Sequence, residues 1–540
     1  MAEETRDLTD QQVWGAPRPS PGGPQPRVPI LTILYHPDLS RIGERAALPE
    51  LAAGRSVPLS RSEPPFRGPE PRPLSDLHLS RSPLHLLPGS EAGAVRLLVG
   101  ESRTRVIAGG EPVGEARDWS AGEVRQGVVL ELADRIVLAL HEGPQAATPA
   151  GPPDRPSDAT GLIGENEGIV RLRDEIRRVA DLDLPVLIRG ETGTGKELVA
   201  RAIHQTGRRR DAQCIAVNMG AVPPSLASSE LFGVVRGAYT GAVRDQVGYF
   251  QRVHGGTLFL DEIGETPFDV QVMLLRALET GEVQRVGSPS TQKVDVRLIA
   301  ATDTNLEAAI DEGRFRAPLL HRLSGYEMWI PPLRERRDDF GRLLLHFLRL
   351  ELAAVGEEHR LTSSPVAPAP WLPAPLVARL ARLDWPGNVR QLRNTVRQIV
   401  IDSRSRDSVQ IGPQIERLLR EASRPAVPIA PSPTALPASR RKAPAAAYRP
   451  PSDVPVEEIL AALQANRWEI KSAAAALGIS RPSLYVLMDK LPGIRKAADL
   501  GLDEIQAAAD ACEGNLDAMA AHLEVSKRGL VQRMKQLGMP

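Results

Sequence analysis

The stretch PVLIRGETGTGKELVARAIH, residues 185–204, runs from apolar residues through a glycine-rich turn into a lysine and a helix-forming segment. Gly190, Gly195 and Lys196 have the spacing of a phosphate loop. Glycine lets backbone N–H groups close on phosphate oxygens, and the helix N-terminus behind them adds partial positive charge. Glu191, Thr192, Gly193 and Thr194 would line the turn, and Lys196 would reach the β- and γ-phosphates. Residue 197 is Glu, where a Ser or Thr usually holds Mg²⁺. A second stretch, GGTLFLDEIG at 255–264, is an apolar run ending in two acids. Asp261 can hold Mg²⁺ through water, and Glu262 can polarise an attacking water. A strand-terminal Asp-Glu pair alone is more often a solvated turn. Beside a phosphate loop it points to binding and hydrolysis of ATP with Mg²⁺.

Such residues must be held by a sheet. From 161 to 300, PVLIR, CIAVN, GTLFLDE and VRLIAAT alternate with helical segments, the pattern of a parallel sheet wrapped by helices. After about 335 the chain reads mostly helical. Residues 28–142 carry short apolar runs (ILTILYH, AVRLLVG, TRVIAG, GVVLELADRIVLALH) broken by Gly, Pro and Ser, which predicts a β-sandwich. Proline and glycine mark the seams: a leader at 1–27, a linker at 143–160 and a Pro/Ala-rich tether at 424–452. A chain of 540 residues is too long for one core. Its formal net charge is zero, so any nucleic-acid contact must be local. The two cysteines, Cys214 and Cys512, offer no disulfide or metal framework and fit a reducing cytosol. The start, MAEETRDLTD, has no apolar signal-peptide core, and no run approaches a membrane span. The expectation is a soluble, cytoplasmic, multidomain protein with no membrane partner.

Between the two nucleotide motifs the chain reads GAYTGA, from Gly237 to Ala242. A charge-free loop does no acid–base or phosphate chemistry. Gly237 and Gly241 let it bend, and Tyr239 presents a flat ring with a hydroxyl tip, suited to transient protein contact.

Taken in order, GETGTGKE, ELFGVVRGAYTGA, GGTLFLDEIGE, RLIAATDTNL, FRAPLLHRL, PPLRERRDD and WPGNVRQLRN make residues 161–402 closely resemble the AAA+ domain of sigma-54-dependent transcriptional activators. That family has its own Glu after the loop lysine. The resemblance implies a P-loop α/β fold with a helical lid from about 335. It implies Asn218 as a switch pairing with Glu262, Thr302 and Asp303 at the first sensor, and Arg390 at the second. Arg316 and Arg322 match the arginines that reach a neighbouring subunit's site, which implies a hexameric ring. Gly237, Ala238, Tyr239, Thr240, Gly241 and Ala242 match the loop that grips sigma-54 in the RNA polymerase holoenzyme. Here Val234-Val235-Arg236 replace the family's usual His-Glu-Lys-like triplet, Tyr239 replaces the commoner Phe, and Asp303, Pro318 and His321 also depart from its pattern.

The last 90 residues repeat. Residues 456–491 align without gaps on 502–537 at an offset of 46. Each copy reads helix, A-A-x-x-L, a turn with serine, then a second helix, which is helix-turn-helix spacing. Residues 453–540 resemble the Fis-type module at the end of these activators and imply upstream, enhancer-like DNA as a partner. Base-reading candidates are Arg481, Ser483 and Tyr485 in the first copy and Lys527, Arg528 and Gln532 in the second. At the other end, Gly54-Arg55 and Ser80-Arg81 resemble a forkhead-associated (FHA) domain. This implies a cradle of Arg55, Ser80 and Arg81 for phosphothreonine on a partner protein, downstream of a Ser/Thr kinase. Two other classes compete: an AAA+ unfoldase acting on another protein, and a DNA-binding repressor with a vestigial ATPase. GAYTGA with a terminal helix-turn-helix argues against the first. Intact Lys196, Asp261, Glu262 and Arg316 argue against the second.

Overall fold

The computed structural model describes residues 26–68, 70–145, 160–238, 244–361, 370–421, 455–466, 468, 473–474, 476–477, 484, 500–512, 516–523, 525, 530–531, 533–534 and 537. The chain divides into two compact units, one up to Ile429 and one from Ala430.

The first unit opens with a β-sandwich. Its strands are β1 (Arg27–Tyr35), β2 (Arg45–Ala47), β3 (Val57–Leu59), β4 (Leu84–Pro88), β5 (Val95–Leu98), β6 (Val106–Ala108), β7 (Glu111–Pro112), β8 (Ala116–Trp119), β9 (Val128–Leu132) and β10 (Ile136–Pro144). One sheet runs β2-β1-β10-β9-β6-β7 and the other β3-β4-β5-β8. Alternation fixes the inner face: in β4 Leu84 and Leu86 are buried and His85 is not, and in β5 Val95 and Leu97 are buried while Arg96 is exposed. These residues pack against Leu31, Ile33, Leu130, Leu138 and Leu140 of the larger sheet. In β1 and β10 the other face is buried too. Leu34, Tyr35, Val137 and Ala139 enter a second core with Phe340, Leu344, Leu348 and Trp385. That is why ILTILY and IVLAL read as continuous apolar runs.

The parallel sheet follows. Its strands are β11 (Val186–Arg189), β12 (Cys214–Asn218) and β13 (Thr257–Asp261), then β16 (Arg297–Thr302) and β17 (Tyr326–Trp329). Between them lies a hairpin of β14 (Glu282–Gln284) and β15 (Thr291–Lys293). The order is β12-β13-β16-β11-β17, all neighbours parallel. β11 is interior, between β16 and β17, and its carboxyl end opens into the crevice where such sheets bind ligands. Helices Glu167–Ala180 and Lys196–Thr206 pack on one face with Ile188 and Ile299, while Leu187, Leu258 and Leu298 face the other core.

Helices Phe340–Ala354, Ala374–Ala381 and Asn388–Asp402 form the lid. The lid continues past Asp402, where the sequence reading ended it. Helix Pro413–Glu421 lays Ile415 and Leu419 into the same core. The polar stretch SRSRDSVQ resembles a domain boundary but is only a connection between helices.

In the second unit the repeat positions line two small cores. Ile459, Ala474, Leu477 and Leu484 lie in one, and their counterparts Ile505, Ala520, Leu523 and Leu530 in the other.

The sandwich holds one histidine in a fixed protonation state. His36 is buried, with Nε2 3.1 Å from the Leu74 carbonyl and Nδ1 accepting from the Asp38 N–H at 2.9 Å. Only the neutral ring with hydrogen on Nε2 satisfies both. Burial, helped by the Arg41 charge, pushes its pKa down to about 4. A group lowered in this way stabilises the fold above the unfolded value near 6.5, and that stability is lost as pH falls through the folded value. His36→Gln cannot take up the proton. Its stability relative to the parent, from urea midpoints, should rise by on the order of 2 kcal/mol between pH 7.5 and pH 4.5. A pH-independent difference would refute this account.

Candidate nucleotide site

β11 ends at Arg189, whose guanidinium binds Glu307 at 2.8 Å and Glu327 at 3.3 Å. The chain then turns through Gly190–Gly195 into helix Lys196–Thr206. Two positions need glycine. Gly193 (φ +80) and Gly195 (φ +108) are left-handed, and a Cβ on Gly193 would lie 2.4 Å from the Gly387 carbonyl oxygen. The Thr194 hydroxyl donates to the Glu191 carbonyl at 2.7 Å and tightens the turn. Lys196 Nζ donates to the Gly190 carbonyl at 2.8 Å and the Glu191 carbonyl at 3.4 Å. The loop is thus closed over its own lysine.

Burial lowers the Lys196 pKa, while the carboxylates of Asp303, Asp261 and Glu262 push it back up and Arg390 opposes them. Four of the residues read from sequence therefore share one electrostatic environment with the lysine. Asp261 is half-buried, and burial raises its carboxyl. The Glu262 N–H, donating to Oδ1 at 3.0 Å, and the Lys196 charge partly offset this. Glu262 has φ 54 and ψ 46, a left-handed conformation for a residue with a side chain. Such a conformation costs roughly 1–2 kcal/mol and persists only when the surroundings impose it. It turns the carboxylate onto Gly220, where a Cβ would lie 2.2 Å from Glu262 Oε2 and 3.3 Å from Asn218 Oδ1. Asn218 and Glu262 thus meet over one glycine. In this conformation Asn218 Oδ1 accepts from the Ala221 N–H at 3.1 Å.

Thr302 is fully buried. Its hydroxyl accepts from the Thr304 N–H, and its carbonyl accepts from Gly190 at 3.2 Å. Asp303 faces the loop, accepting from the Thr192 hydroxyl. Arg390 docks by its backbone, donating to the Gly193 carbonyl at 3.2 Å. Arg316 and Arg322 stand elsewhere, against helix Phe268–Thr280. Arg316 lies 4.1 Å over the Phe268 ring, and Arg322 donates twice to the Leu278 carbonyl, at 2.9 and 3.0 Å.

Two acids of the motif, both expected from the sequence among the nucleotide-binding residues, have other side-chain partners here. Glu191 does not offer its carboxylate to the loop. It is held by Arg334 at 2.6 and 2.8 Å and by Asn388 Nδ2 at 3.1 Å. These hydrogen bonds keep its carboxyl below its ordinary range. Glu197 lies on the exposed face of its helix, paired with Arg201 at 3.2 Å. Sequence reading missed the lid partners Arg334 and Asn388, although both lie in stretches it singled out, PPLRER and WPGNVR. Asn388 Nδ2 also donates to the Thr192 carbonyl at 3.1 Å, and its Oδ1 accepts from the Leu333 N–H at 2.8 Å.

A phosphate loop after β11, a paired acid at the end of β13 two strands away and a lid docked on the loop are now in place, and the comparisons agree with them. Residues 162–329 match the sigma-54 interaction domain, and residues 334–421 match the AAA+ ATPase lid domain. The central domain is a sigma-54 activator AAA+ ATPase. Residues 453–491 match the bacterial regulatory protein, Fis family. The chain is 46% identical over 251 residues to the nitric oxide reductase transcription regulator NorR1 of Cupriavidus necator, covering 46% of this chain and 47% of that one. It is 48% identical over 242 residues to the DNA-binding transcriptional regulator NtrC of Escherichia coli K12, covering 45% and 50%. It therefore spans about half the length of these curated relatives. Crystal structures of NtrX from Brucella abortus, one in complex with ATP, align over 70% of both chains with 28% identity and a TM-score of 0.41 for that complex. The AAA+ ATPase family binds ATP.

The remaining assignments divide by position. Tyr239, Thr240, Gly241 and Ala242 lie outside the described residues, as do Arg481, Ser483, Tyr485, Lys527, Arg528 and Gln532. Gly237 and Ala238 are described. They follow Val234, which bridges Gln246 and Val286, so a stem carries the loop beside the β14–β15 hairpin. In the sandwich, Arg55 does not meet Ser80 and Arg81. β3 pairs antiparallel with β4, Leu59 opposite Leu84 and Val57 opposite Leu86. Arg55 precedes β3 and Ser80-Arg81 precede β4, so they sit at opposite ends of the pair. The residue after β3 that shares an end with Ser80 is Arg61, whose carbonyl accepts from the Ser75 N–H at 2.8 Å.

Asn388→Ala removes the side chain that ties Leu333, Glu191 and Thr192 together while leaving Lys196, Asp261 and Glu262 in place. The ATPase should lose on the order of tenfold in nucleotide affinity, equivalent to about 1.4 kcal/mol of lid contact. Equilibrium binding of a fluorescent ATP analogue measures this. Unchanged affinity with a lowered melting temperature would make the contact purely structural.

Proposed function

We propose that this chain is an ATP-driven activator of sigma-54 RNA polymerase. It binds enhancer-like DNA through its C-terminal repeat and remodels the closed promoter complex through the Gly237–Ala242 loop. The observation that carries the reading is the route from the acid pair to that loop. Glu262 rests on Gly220 beside Asn218. From there Ala221, helix Pro224–Phe232 and the Val234 bridge lead directly to the loop stem. A shift of Glu262 when the γ-phosphate leaves would press on Gly220 and be delivered to the stem.

In this mechanism Lys196 and the loop N–H groups hold the triphosphate, and Glu262 takes the proton of the attacking water. Asp261 suits Mg²⁺. It is a half-buried carboxylate beside Lys196, and among the described residues no group of three His, Cys, Asp or Glu forms a cage. A metal held by one carboxylate, phosphates and water fits this arrangement, and when bound it would neutralise charge on the phosphates. The side-chain contacts of Arg316 and Arg322 are to helix Phe268–Thr280 and not to their own loop, which supports their acting on a neighbour's nucleotide in a hexamer. A trans arginine contributes roughly 10³–10⁵ in rate in related phosphoryl transfers. Among the described residues no helix is long and apolar enough to cross a membrane, and we place the protein in the cytoplasm.

The sandwich serves as the regulatory domain in this reading. Its two-sheet form supports the FHA resemblance, and the β3–β4 register favours Arg61 over Arg55 as the arginine that would join Ser80 and Arg81 on a phosphothreonine of a kinase substrate.

Glu262→Gln should keep ATP binding and lose hydrolysis by about 10²–10⁴-fold, read by steady-state phosphate release. Thr240→Ala or Tyr239→Ala should keep hydrolysis and lose open-complex formation on a sigma-54 promoter, read by permanganate footprinting. If the loop variants lost hydrolysis as well, the loop would be structural. If they kept both activities, the loop would not be the sigma-54 contact; if the parent chain hydrolysed ATP without opening the promoter, the unfoldase reading would stand.

A further inference from the structure

A cleft of about 920 Å³ opens where the sandwich meets the lid, away from the phosphate loop. Four arginines wall it: Arg117 of β8 on one side, and Arg337, Arg379 and Arg382 of the lid on the other. The sandwich wall is built on glycines that allow close approach. Arg382 lies flat on Gly110 (φ +96), its guanidinium 3.2 Å from where a Cβ would stand. Arg117 approaches Gly109 next door, and the Arg337 stem packs on Gly127.

The acids of this cleft leave two of the four arginines, Arg379 and Arg382, unmatched and a third only partly satisfied. Arg337 binds Asp384 at 2.8 Å, yet its Nε is buried with no hydrogen-bond partner. Arg117 meets Glu111 at 3.3 Å, and Glu111 is 77% exposed. Glu123 is committed to capping Ser120. Arg379 and Arg382, three residues apart on one helix face, make no ion pair or side-chain hydrogen bond among the described residues. Like charges so placed repel. The carboxyl whose charge acts on Arg382 is Glu131, and burial, with Asp134 beside it, raises its pKa to about 7, so it gives up much of its charge near neutrality. Two unpaired forks from the lid, facing the loosely paired Arg117 of the sandwich, match the planar, multidentate geometry of a phosphate group. The volume lies within the range of small-molecule sites, which favour domain interfaces.

We propose that this cleft binds a small phosphate-bearing molecule, up to nucleotide size, through Arg117, Arg337, Arg379 and Arg382. Arg382 and Asp384, the partner of Arg337, immediately precede Trp385–Arg390, the segment docked on the phosphate loop. Occupancy would therefore fasten the sandwich to the part of the lid that senses nucleotide.

The test uses the full chain with Lys196→Ala, so that the phosphate loop contributes no binding, titrated calorimetrically with inorganic pyrophosphate without metal. One site per chain is expected. Adding Arg379→Ala and Arg382→Ala should weaken it at least tenfold, and adding Arg125→Ala, an exposed arginine outside the cleft, should not. Arg379→Lys with Arg382→Lys keeps charge and volume while removing the forks, and should weaken binding by an intermediate factor with an unchanged melting temperature. The proposal is overturned by absence of binding to the Lys196→Ala chain, or by binding indifferent to the lid substitutions. It is equally overturned if a phosphothreonine peptide, and not pyrophosphate, proves sensitive to them.

Discussion

The phosphate loop and the lid turn approach each other more closely than any side chain would permit. Gly193 lies against the Gly387 carbonyl, and its own carbonyl accepts from Arg390. Around that contact the lid adopts backbone that is costly elsewhere: Trp385 at φ 50 and Asn388 at φ 49. Two left-handed non-glycine residues together cost roughly 2–4 kcal/mol. Packing and hydrogen bonds offset this. Trp385 is buried against Phe340 and donates to the Leu380 carbonyl at 3.1 Å, and Asn388 makes three hydrogen bonds. A strained turn held by a filled core resists gradual yielding, so the joint between loop and lid is stiff.

The same lid core is completed by a second domain. Gly341 leaves no Cβ above β1, where one would lie 2.2 Å from the Leu34 carbonyl. Tyr35 donates to the Leu372 carbonyl at 2.6 Å. Full burial of each large apolar side chain is worth roughly 1.5–3 kcal/mol, so the interface built on Leu34, Tyr35 and Val137 is a shared core. A polar seam runs beside it. Arg45 binds Asp338 at 2.8 Å, Asn166 Nδ2 donates to the same carboxylate, and Asp339 accepts from the N–H groups of Glu165 and Asn166. Burial costs these charges solvation that only good geometry restores. What the seam adds is register between the bodies.

Much of the site was legible in the sequence because its chemistry is local. Gly190 to Lys196 is one turn, and Asp261-Glu262 are neighbours at the end of an apolar strand. What stayed hidden depends on partners distant in the chain. Glu191 reads as part of a phosphate loop, yet Arg334 and Asn388 claim its carboxylate. Gly54-Arg55 and Ser80-Arg81 look like one cradle until the β3–β4 register puts them at opposite ends. Ile415 and Leu419 follow a polar stretch that hides their membership of the lid core. The double burial of β1 was visible as a continuous apolar run, but nothing in the run says that a lid helix covers its outer face.

These contacts constrain how regulation can work. The sandwich touches both sides of the joint between sheet and lid: Asn166 and Glu167 lead into the helix beside β11, and Asp338 and Gly341 lead into the lid. Arg27 binds Glu167 at 2.7 Å while β1 lies under helix Phe340–Ala354. A body fixed to both sides of a joint sets its angle. The Trp385–Arg390 segment seated on Gly193 lies on the lid side of that joint. An event that loosened the sandwich from one side alone would change the contacts that hold the lid, whatever its chemical origin. Control at this joint needs no contact with Lys196, Asp261 or Glu262. It acts on the equilibrium of the lid, a coupling between distant sites carried by a shared core and one polar seam.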